Sequence, residues 1–270
     1  MKNKSIGIIG HGFVGGAVSQ LKGCFDVSIY DPNQKEYEDN VAAFRSDIIF
    51  VCVPTLESKT GKLDTSIVEA TAERWAANDP DDSILVVKST IPPGTIEKLN
   101  KKLKTKNIVH NPEFLTERTA KEDFRNPKEV IVGGEDSACE AILSLYKEYY
   151  QEKDIQYFNV SAKSAEMIKM TRNSFYALKV AFFNEVYDLC EAVGEDYNEF
   201  KNVFTLNGKH PWVGNQHVSV PGPDGRFGFG GKCLPKDSKG LLKFAEEHDI
   251  IMKTLKACIS SNELRRGSKD

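Results

Sequence analysis

Along the first 160 residues, short apolar runs alternate with amphipathic ones. The apolar runs, dense in Val and Ile, predict strands at 5–9, 26–30, 48–53, 84–87, 107–110, 130–132 and 155–158. Most are bounded by Gly, Pro, Asn or Asp, and several are apolar throughout. Strands of a parallel sheet covered on both faces have this character. Between them, 66–75 and 95–103 place apolar residues every three or four positions, which predicts helices. Alternation of this kind predicts an α/β fold with a doubly wound sheet.

From Ser161 the pattern changes. The stretch 161–193 begins on a serine, contains no Gly or Pro, and stops at Gly194, so it reads as one helix of about 33 residues. Ala165, Ile168, Met170, Phe175, Leu178, Phe182, Val186 and Leu189 recur along it at helical spacing. A helix longer than its own domain needs can join two domains or pack against a second copy, so a homodimer is expected. The segment 207–237 is rich in Gly, Pro and aromatic residues, and a last helical region runs from Ser238 towards Arg266. The expected organisation is an α/β domain at 1–160 and an all-helical domain at 161–270.

Composition narrows the class. With 270 residues, 40% hydrophobic and 28% charged, the chain has the make-up of a soluble globular protein. A formal net charge of -3 gives no general attraction to nucleic acid, and the lysines of 101–106 read as a solvated helix end. No run approaches the roughly 20 apolar residues of a membrane span, and the N-terminal apolar run is broken at once by Gly10, His11 and Gly12, unlike a signal peptide. The six cysteines form no C-x-x-C pair and no zinc-like cluster with histidine, so no metal is expected. Reduced thiols suit a cytoplasmic protein.

Gly10-His11-Gly12-Phe13-Val14-Gly15 follows the first strand and opens a helix, and Asp31 ends the second strand 21 residues after Gly10. A lone G-x-G-x-x-G is weak, but strand, helix and acid together make it a dinucleotide site of Rossmann type. Gly10 allows the tight turn, Gly12 lets a pyrophosphate approach the backbone, and Gly15 lets helix and strand pack closely. Asp31 would accept hydrogen bonds from the adenosine ribose and repel a 2′-phosphate, favouring NAD over NADP.

Four further segments need one explanation. Lys88-Ser89-Thr90-Ile91-Pro92-Pro93-Gly94 and Asn111-Pro112-Glu113-Phe114-Leu115-Thr116-Glu117 each follow a predicted strand, where ligands of doubly wound sheets bind. Lys169 and Asn173 lie four apart on the long helix, on one face. Gly228-Phe229-Gly230-Gly231-Lys232-Cys233-Leu234-Pro235-Lys236-Asp237 closes the loop-rich stretch. A thiol among glycines with lysines at both sides has surroundings that favour the thiolate. An isolated cysteine is more often a small buried apolar residue, and Cys24, Cys52, Cys139, Cys190 and Cys258 are read that way. His110 reads as core or surface.

Taken together these segments resemble the UDP-glucose/GDP-mannose dehydrogenase family, from Ile6 to about Arg266. The resemblance implies an NAD-binding Rossmann-like domain, a helical central and dimerisation domain, and a four-electron oxidation of a nucleotide sugar's primary alcohol to the acid. It implies Cys233 as the nucleophile that carries thiohemiacetal and thioester. Lys169 would stabilise the oxyanion with Asn173 beside it, Glu113 would act as general base, Thr90 would hold the hydrolytic water, and Asp237 would orient that water or the lysine. Gly10, Gly12, Phe13, Val14, Gly15, Asp31, Val53, Pro54, Thr55, Thr90 and Glu117 are the expected cofactor contacts. Phe114, Leu115, Lys169, Asn173, Phe229 and Gly230 are the expected substrate contacts. The chain departs from the family in three places. It stops where full-length members continue into a nucleotide-sugar-binding domain; Trp212 stands where arginine is common; and the segment 220–226 is longer, with Arg226 as a replacement cation. Two alternatives stay open: a two-electron β-hydroxyacid-type dehydrogenase, in which Cys233 has no task, and an NAD-binding remnant without turnover.

Overall fold

The computed structural model describes residues 4–58, 60–78, 82–151 and 153–267. The chain folds as two compact units, Met1–Ser58 with Leu63–Lys169, and Lys59–Lys62 with Met170–Asp270.

The first unit runs β1 (Ser5–Ile9), α1 (Phe13–Val18), β2 (Asp26–Tyr30), β3 (Ile48–Val51), β4 (Leu56–Glu57), β5 (Leu63–Asp64), α2 (Ser66–Ala76), β6 (Ile84–Val87), α3 (Thr95–Leu103), β7 (Ile108–His110), α4 (Ala120–Arg125), β8 (Glu129–Gly133), α5 (Asp136–Tyr150) and β9 (Gln156–Val160), and includes the start of α6 (Ala162–Val193). Seven strands form one sheet in the order β2-β1-β3-β6-β7-β8-β9. All neighbours are parallel except β7 and β8, which meet antiparallel at His110 and Gly133. Because side chains alternate along a strand, Ile8, Phe50 and Val86 fill one face of the sheet with Leu21, Ile142 and Tyr146. Ile49, Val51, Leu85 and Val87 fill the other with Trp75, Ile96 and Leu99. Both faces are buried, which explains the unbroken apolar runs. β2 and β3 flank β1 on opposite sides, so the chain reverses direction at the carboxyl ends of β1 and β3 and leaves a crevice there.

Five of the seven strands keep the predicted positions to within a residue; β3 ends two residues early at Val51, and β9 runs two residues further than expected, to Val160. The hairpin of β4 and β5, two residues each, is too short to show in a hydropathy pattern. Helix α6 has 32 residues, about 48 Å of axis. It is capped by Ser161, whose Oγ accepts from the Ser164 amide at 3.2 Å, and it ends at Gly194 with φ +78°.

The second unit holds the rest of α6, then α7 (Tyr197–Phe204), α8 (Leu234–Glu246) and α9 (Lys253–Arg266). The helical region expected from Ser238 towards Arg266 consists of two helices, α8 and α9. α8 begins four residues earlier because Pro235 sits in its first turn, where a missing N–H costs nothing. It stops at a left-handed Asp249, φ +59°, with the Ile250 amide donating back to the Ala245 carbonyl at 2.9 Å. No described helix is long and apolar enough to cross a membrane.

Candidate active site

In the first unit the crevice is framed by the segments that leave β1, β3, β6 and β7. Gly10 has φ +87°, and a Cβ there would lie 2.8 Å from the Cys52 carbonyl oxygen; one on Gly15 would lie 2.0 Å from that of Gly10. Gly12 faces open space. Phe13 and Val14, in the first turn of α1, are half-buried. Asp31 is buried and accepts from the His11 amide at 2.7 Å and the Asn33 amide at 2.9 Å. Burial alone would raise its carboxyl pKa, but those amides and the Gln34 side chain outweigh it, and the carboxyl sits below its ordinary value. After β3, Val53 is half-buried, Pro54 exposed and Thr55 buried, and the Val53 carbonyl accepts from Ser89 Oγ at 2.6 Å. Thr90 is half-buried.

Beyond β7, Glu113 Oε1 lies 2.8 Å from Lys169 Nζ, and its carbonyl accepts from the same ammonium at 2.6 Å. The two side chains are 8% and 4% exposed, so this is a buried ion pair with Glu113 Oε2 also held by the Leu115 amide at 2.7 Å. The Phe114 ring stands 5.6 Å from Lys169 Nζ, close enough for a cation–π contact. Phe114 and Leu115 are half-buried, whereas Glu117 is exposed.

Close to this pair lies a polar cluster that joins two of the motif segments, Lys88 and Asn111, to Tyr146, which lies in none of them. Lys88 Nζ donates to Asn111 Oδ1 at 2.8 Å, Tyr146 Oη donates to the same oxygen at 2.7 Å, and Asn111 Nδ2 donates to the Ile131 carbonyl at 2.7 Å. Burial pushes Lys88 down to about 8 and His110 down to about 3. His110 is a core residue. Glu166, one turn before Lys169 on α6, is also fully buried and accepts from the Gly94 and Ile96 amides at 2.5 and 2.8 Å, so it caps the N-terminus of α3. Burial outweighs those two bonds and lifts its carboxyl to about 7.

In the second unit, Cys233 is half-buried in the N-cap position of α8. Its carbonyl accepts from the Asp237 amide at 2.8 Å. Asp237 is fully buried; Oδ2 accepts from Asn173 Nδ2 at 2.5 Å and Oδ1 from Lys236 Nζ at 2.7 Å. Phe229 packs against Ala177, Val180 and Ala181 of α6, and Gly230 is half-buried. The loop ahead of the cysteine is fastened by three side chains. Asn184 Oδ1 takes the Gly228 amide at 2.7 Å, and Asn262 accepts from the Phe229 amide at 2.7 Å while donating to the Phe229 carbonyl at 3.1 Å. Arg266 donates to the Gly228 carbonyl at 2.9 Å and to Asp224 at 2.8 Å. Arg226 is exposed and donates to the Arg266 carbonyl at 2.9 Å; Trp212 is also exposed. Among the other cysteines, Cys139, Cys190 and Cys258 are buried as expected, Cys52 is half-buried, and Cys24 is exposed because it lies beyond the end of a helical turn.

Thus Glu113, Phe114 and Lys169 are gathered in one unit, and Asn173, Cys233 and Asp237 in the other. Among the described residues no three His, Cys, Asp or Glu side chains are placed to hold a metal ion.

Residues 32–152 match the NAD binding domain of the UDP-glucose/GDP-mannose dehydrogenase family, and 163–264 match its central domain. The chain belongs to this family. A UDP-glucose 6-dehydrogenase of Rickettsia typhi is 34% identical over 226 residues, 82% of this chain and 50% of that protein. The chain spans about half the length of the curated relatives it matches. The structure of a UDP-glucose dehydrogenase from Pyrobaculum islandicum superposes with a TM-score of 0.83 at 27% identity, over 97% of this chain and 68% of that one. A Mycobacterium tuberculosis 3-hydroxyisobutyrate dehydrogenase, 15% identical, covers 95% of this chain and 91% of its own at a TM-score of 0.71; at that identity only the fold is shared.

Proposed function

We propose that this chain oxidises the primary alcohol of a nucleotide sugar, UDP-glucose or a close analogue, to the carboxylate in two NAD-dependent steps. The observation that carries the reading is the setting of Cys233, a half-buried thiol at the N-terminus of α8, one turn before a buried aspartate held by Asn173. The positive end of a helix favours an anionic sulfur there, as a nucleophile requires. Residues 1–160 serve as the NAD-binding domain and 161–270 as the central domain.

The cofactor site fits the dinucleotide. Gly12 leaves room for a pyrophosphate at the start of α1, Gly10 and Gly15 have no space for a side chain, and Asp31 is anionic and fixed for a ribose. NAD, which Gly10, Gly12, Gly15 and Asp31 would hold, would supply the hydride acceptor for each of the two oxidations. The Cys233 thiolate adds to the aldehyde carbon, so that a C–S bond forms and the carbonyl oxygen becomes an oxyanion, which Lys169 would stabilise with Asn173 beside it. Loss of the second hydride turns this adduct into a thioester. Water held by Thr90 and deprotonated with the help of Glu113 then displaces the thiolate, giving the acid and free Cys233. Asp237 orients the water or the lysine through its contact with Asn173. Phe114, Leu115, Phe229 and Gly230 line the sugar site, and Val53, Pro54, Thr55 and Glu117 line the cofactor site.

Two copies pair through α6. Phe175, Phe182, Leu189 and Val193 are exposed at 57–63%, a row of apolar side chains left open to water.

The deciding experiment incubates the chain with NAD and a panel of nucleotide sugars and counts NADH per acid produced. Two NADH per acid is expected, with turnover reduced at least about 1000-fold in Cys233→Ser. One NADH with a free aldehyde or ketone, or activity that survives Cys233→Ser, points instead to two-electron chemistry. NAD binding without NADH from any sugar would make the chain a binding module.

A further inference from the structure

We propose that Gln34, held by His11, is a specificity residue of the cofactor site: it fixes the Asp31 carboxylate so that the site takes a dinucleotide with free ribose hydroxyls and rejects one bearing a 2′-phosphate. The inference rests on the NAD reading above and adds to it the residue that positions the selecting carboxylate of Asp31.

Asp31 opens a turn in which the Gln34 amide donates to its carbonyl at 3.2 Å, and this brings the Gln34 side chain back over the glycine turn after β1. Gln34 Nε2 donates to the His11 carbonyl at 2.9 Å and to Asp31 Oδ2 at 3.0 Å. Both targets can only accept, so the nitrogen of the amide must face them. Its oxygen then faces His11 Nδ1 at 3.4 Å, which calls for the tautomer with a proton on Nδ1. The Tyr37 ring stands edge-on against the imidazole, 4.9 Å between centroids, and limits its rotation. The resulting path runs from His11 to Gln34 to Asp31.

Two consequences bear on selectivity. First, Oδ2 already has two donors, the His11 amide and Gln34, whereas Oδ1 has the Asn33 amide. The carboxylate is therefore held in one rotamer with acceptance to spare on Oδ1, which suits a ribose hydroxyl. Second, every one of these donors is neutral, so they hold the carboxylate without offsetting its charge. A 2′-phosphate entering here meets an anion fixed by neutral donors, whereas an arginine or lysine in place of Gln34 would supply a full positive charge.

The test is calorimetric titration of NAD and NADP into the wild-type chain and into Gln34→Leu, Gln34→Lys, Asp31→Ala and the Gln34→Leu/Asp31→Ala double variant. In Gln34→Leu the preference for NAD is expected to fall about tenfold, the scale of one hydrogen bond to a charged acceptor. In the Asp31→Ala background the same change is expected to do nothing, because Gln34 acts through Asp31. Gln34→Lys is expected to gain NADP affinity, an outcome that a damaged fold does not produce. An unchanged preference in Gln34→Leu, an equal effect without Asp31, or no gain of NADP binding in Gln34→Lys overturns the inference while NAD binding by the wild type stands. A wild-type chain that binds neither dinucleotide overturns the NAD reading and the inference with it.

Discussion

Lys169 and Glu113 make the strongest demand at the scale of single residues. Each is buried, and each is tolerable only because the other is present. Lys169→Ala leaves a buried carboxylate without the ammonium that pairs with it, and unfolding in urea should show a loss of about 3 kcal/mol or more. On the proposed mechanism the same variant should lower turnover about 100- to 1000-fold, since an oxyanion donor would go with it. If Lys169→Ala is as stable as the wild type, the ion pair is not the buried one described. The sequence marked both residues as candidates but gave no sign that they touch. Lys88 and Asn111, which lie just ahead of Thr90 and Glu113, belong to the motif segments, yet the Asn111 oxygen that accepts from Lys88 also accepts from Tyr146, which no motif contains.

At the scale of elements, two helix contacts hold the parts in register. Glu166 on α6 caps α3, whose start follows the Thr90 loop. Its carboxyl is raised from 4.5 to about 7, so between those values the folded chain binds a proton that the unfolded chain has released. The resulting stability is fully present below about pH 4.5 and lost as pH rises towards 7, a change on the order of 3 kcal/mol at most. His110 acts in the opposite sense: neutral in the fold down to about 3, it makes the protein less stable as pH falls below about 6.5. Urea midpoints of wild type and Glu166→Gln at pH 5 and pH 8 separate the two: the variant should lack the acid-side gain, and parallel pH profiles would argue against a raised carboxyl. The second contact is Asn262 of α9 on the backbone of Phe229. Asn262→Ala strips a buried N–H and C=O of their partners and should cost about 2 kcal/mol, with faster hydrogen exchange at the Phe229 amide. Unaltered exchange there would mean that the loop is held by Asn184 and Arg266 alone.

For the whole molecule, the question is what covers α6. Of its apolar positions, Ala165 and Met170 are buried, while Phe175, Phe182 and Leu189, spaced seven apart, are exposed. A seven-residue apolar stripe suits a facing helix, so light scattering at micromolar concentration should report a dimer. Phe182→Glu should shift it towards monomer, since the exposed stripe would then carry a charge into the contact. A wild-type monomer at that concentration would leave the stripe without this explanation.

The amino-acid sequence determined what depends on near neighbours. Unbroken Val and Ile runs specified the strands of a covered sheet, and serine start, glycine stop and helical spacing specified α6. Gly10, Gly12 and Gly15 specified the tight turn between β1 and α1, and Asp31 the end of β2, because each rule there spans few residues or one strand–helix unit. Tertiary structure alone decided the pairings. Glu113 meets Lys169 across 56 positions, Asn173 meets Asp237 across 64, and Asn262 meets Phe229 across 33. Whether a periodic apolar face is core or surface was likewise settled by packing, as the exposed half of α6 illustrates. The physical reason is that spacing along the chain fixes which direction a side chain points, whereas its partner is whatever the folded chain brings to that side.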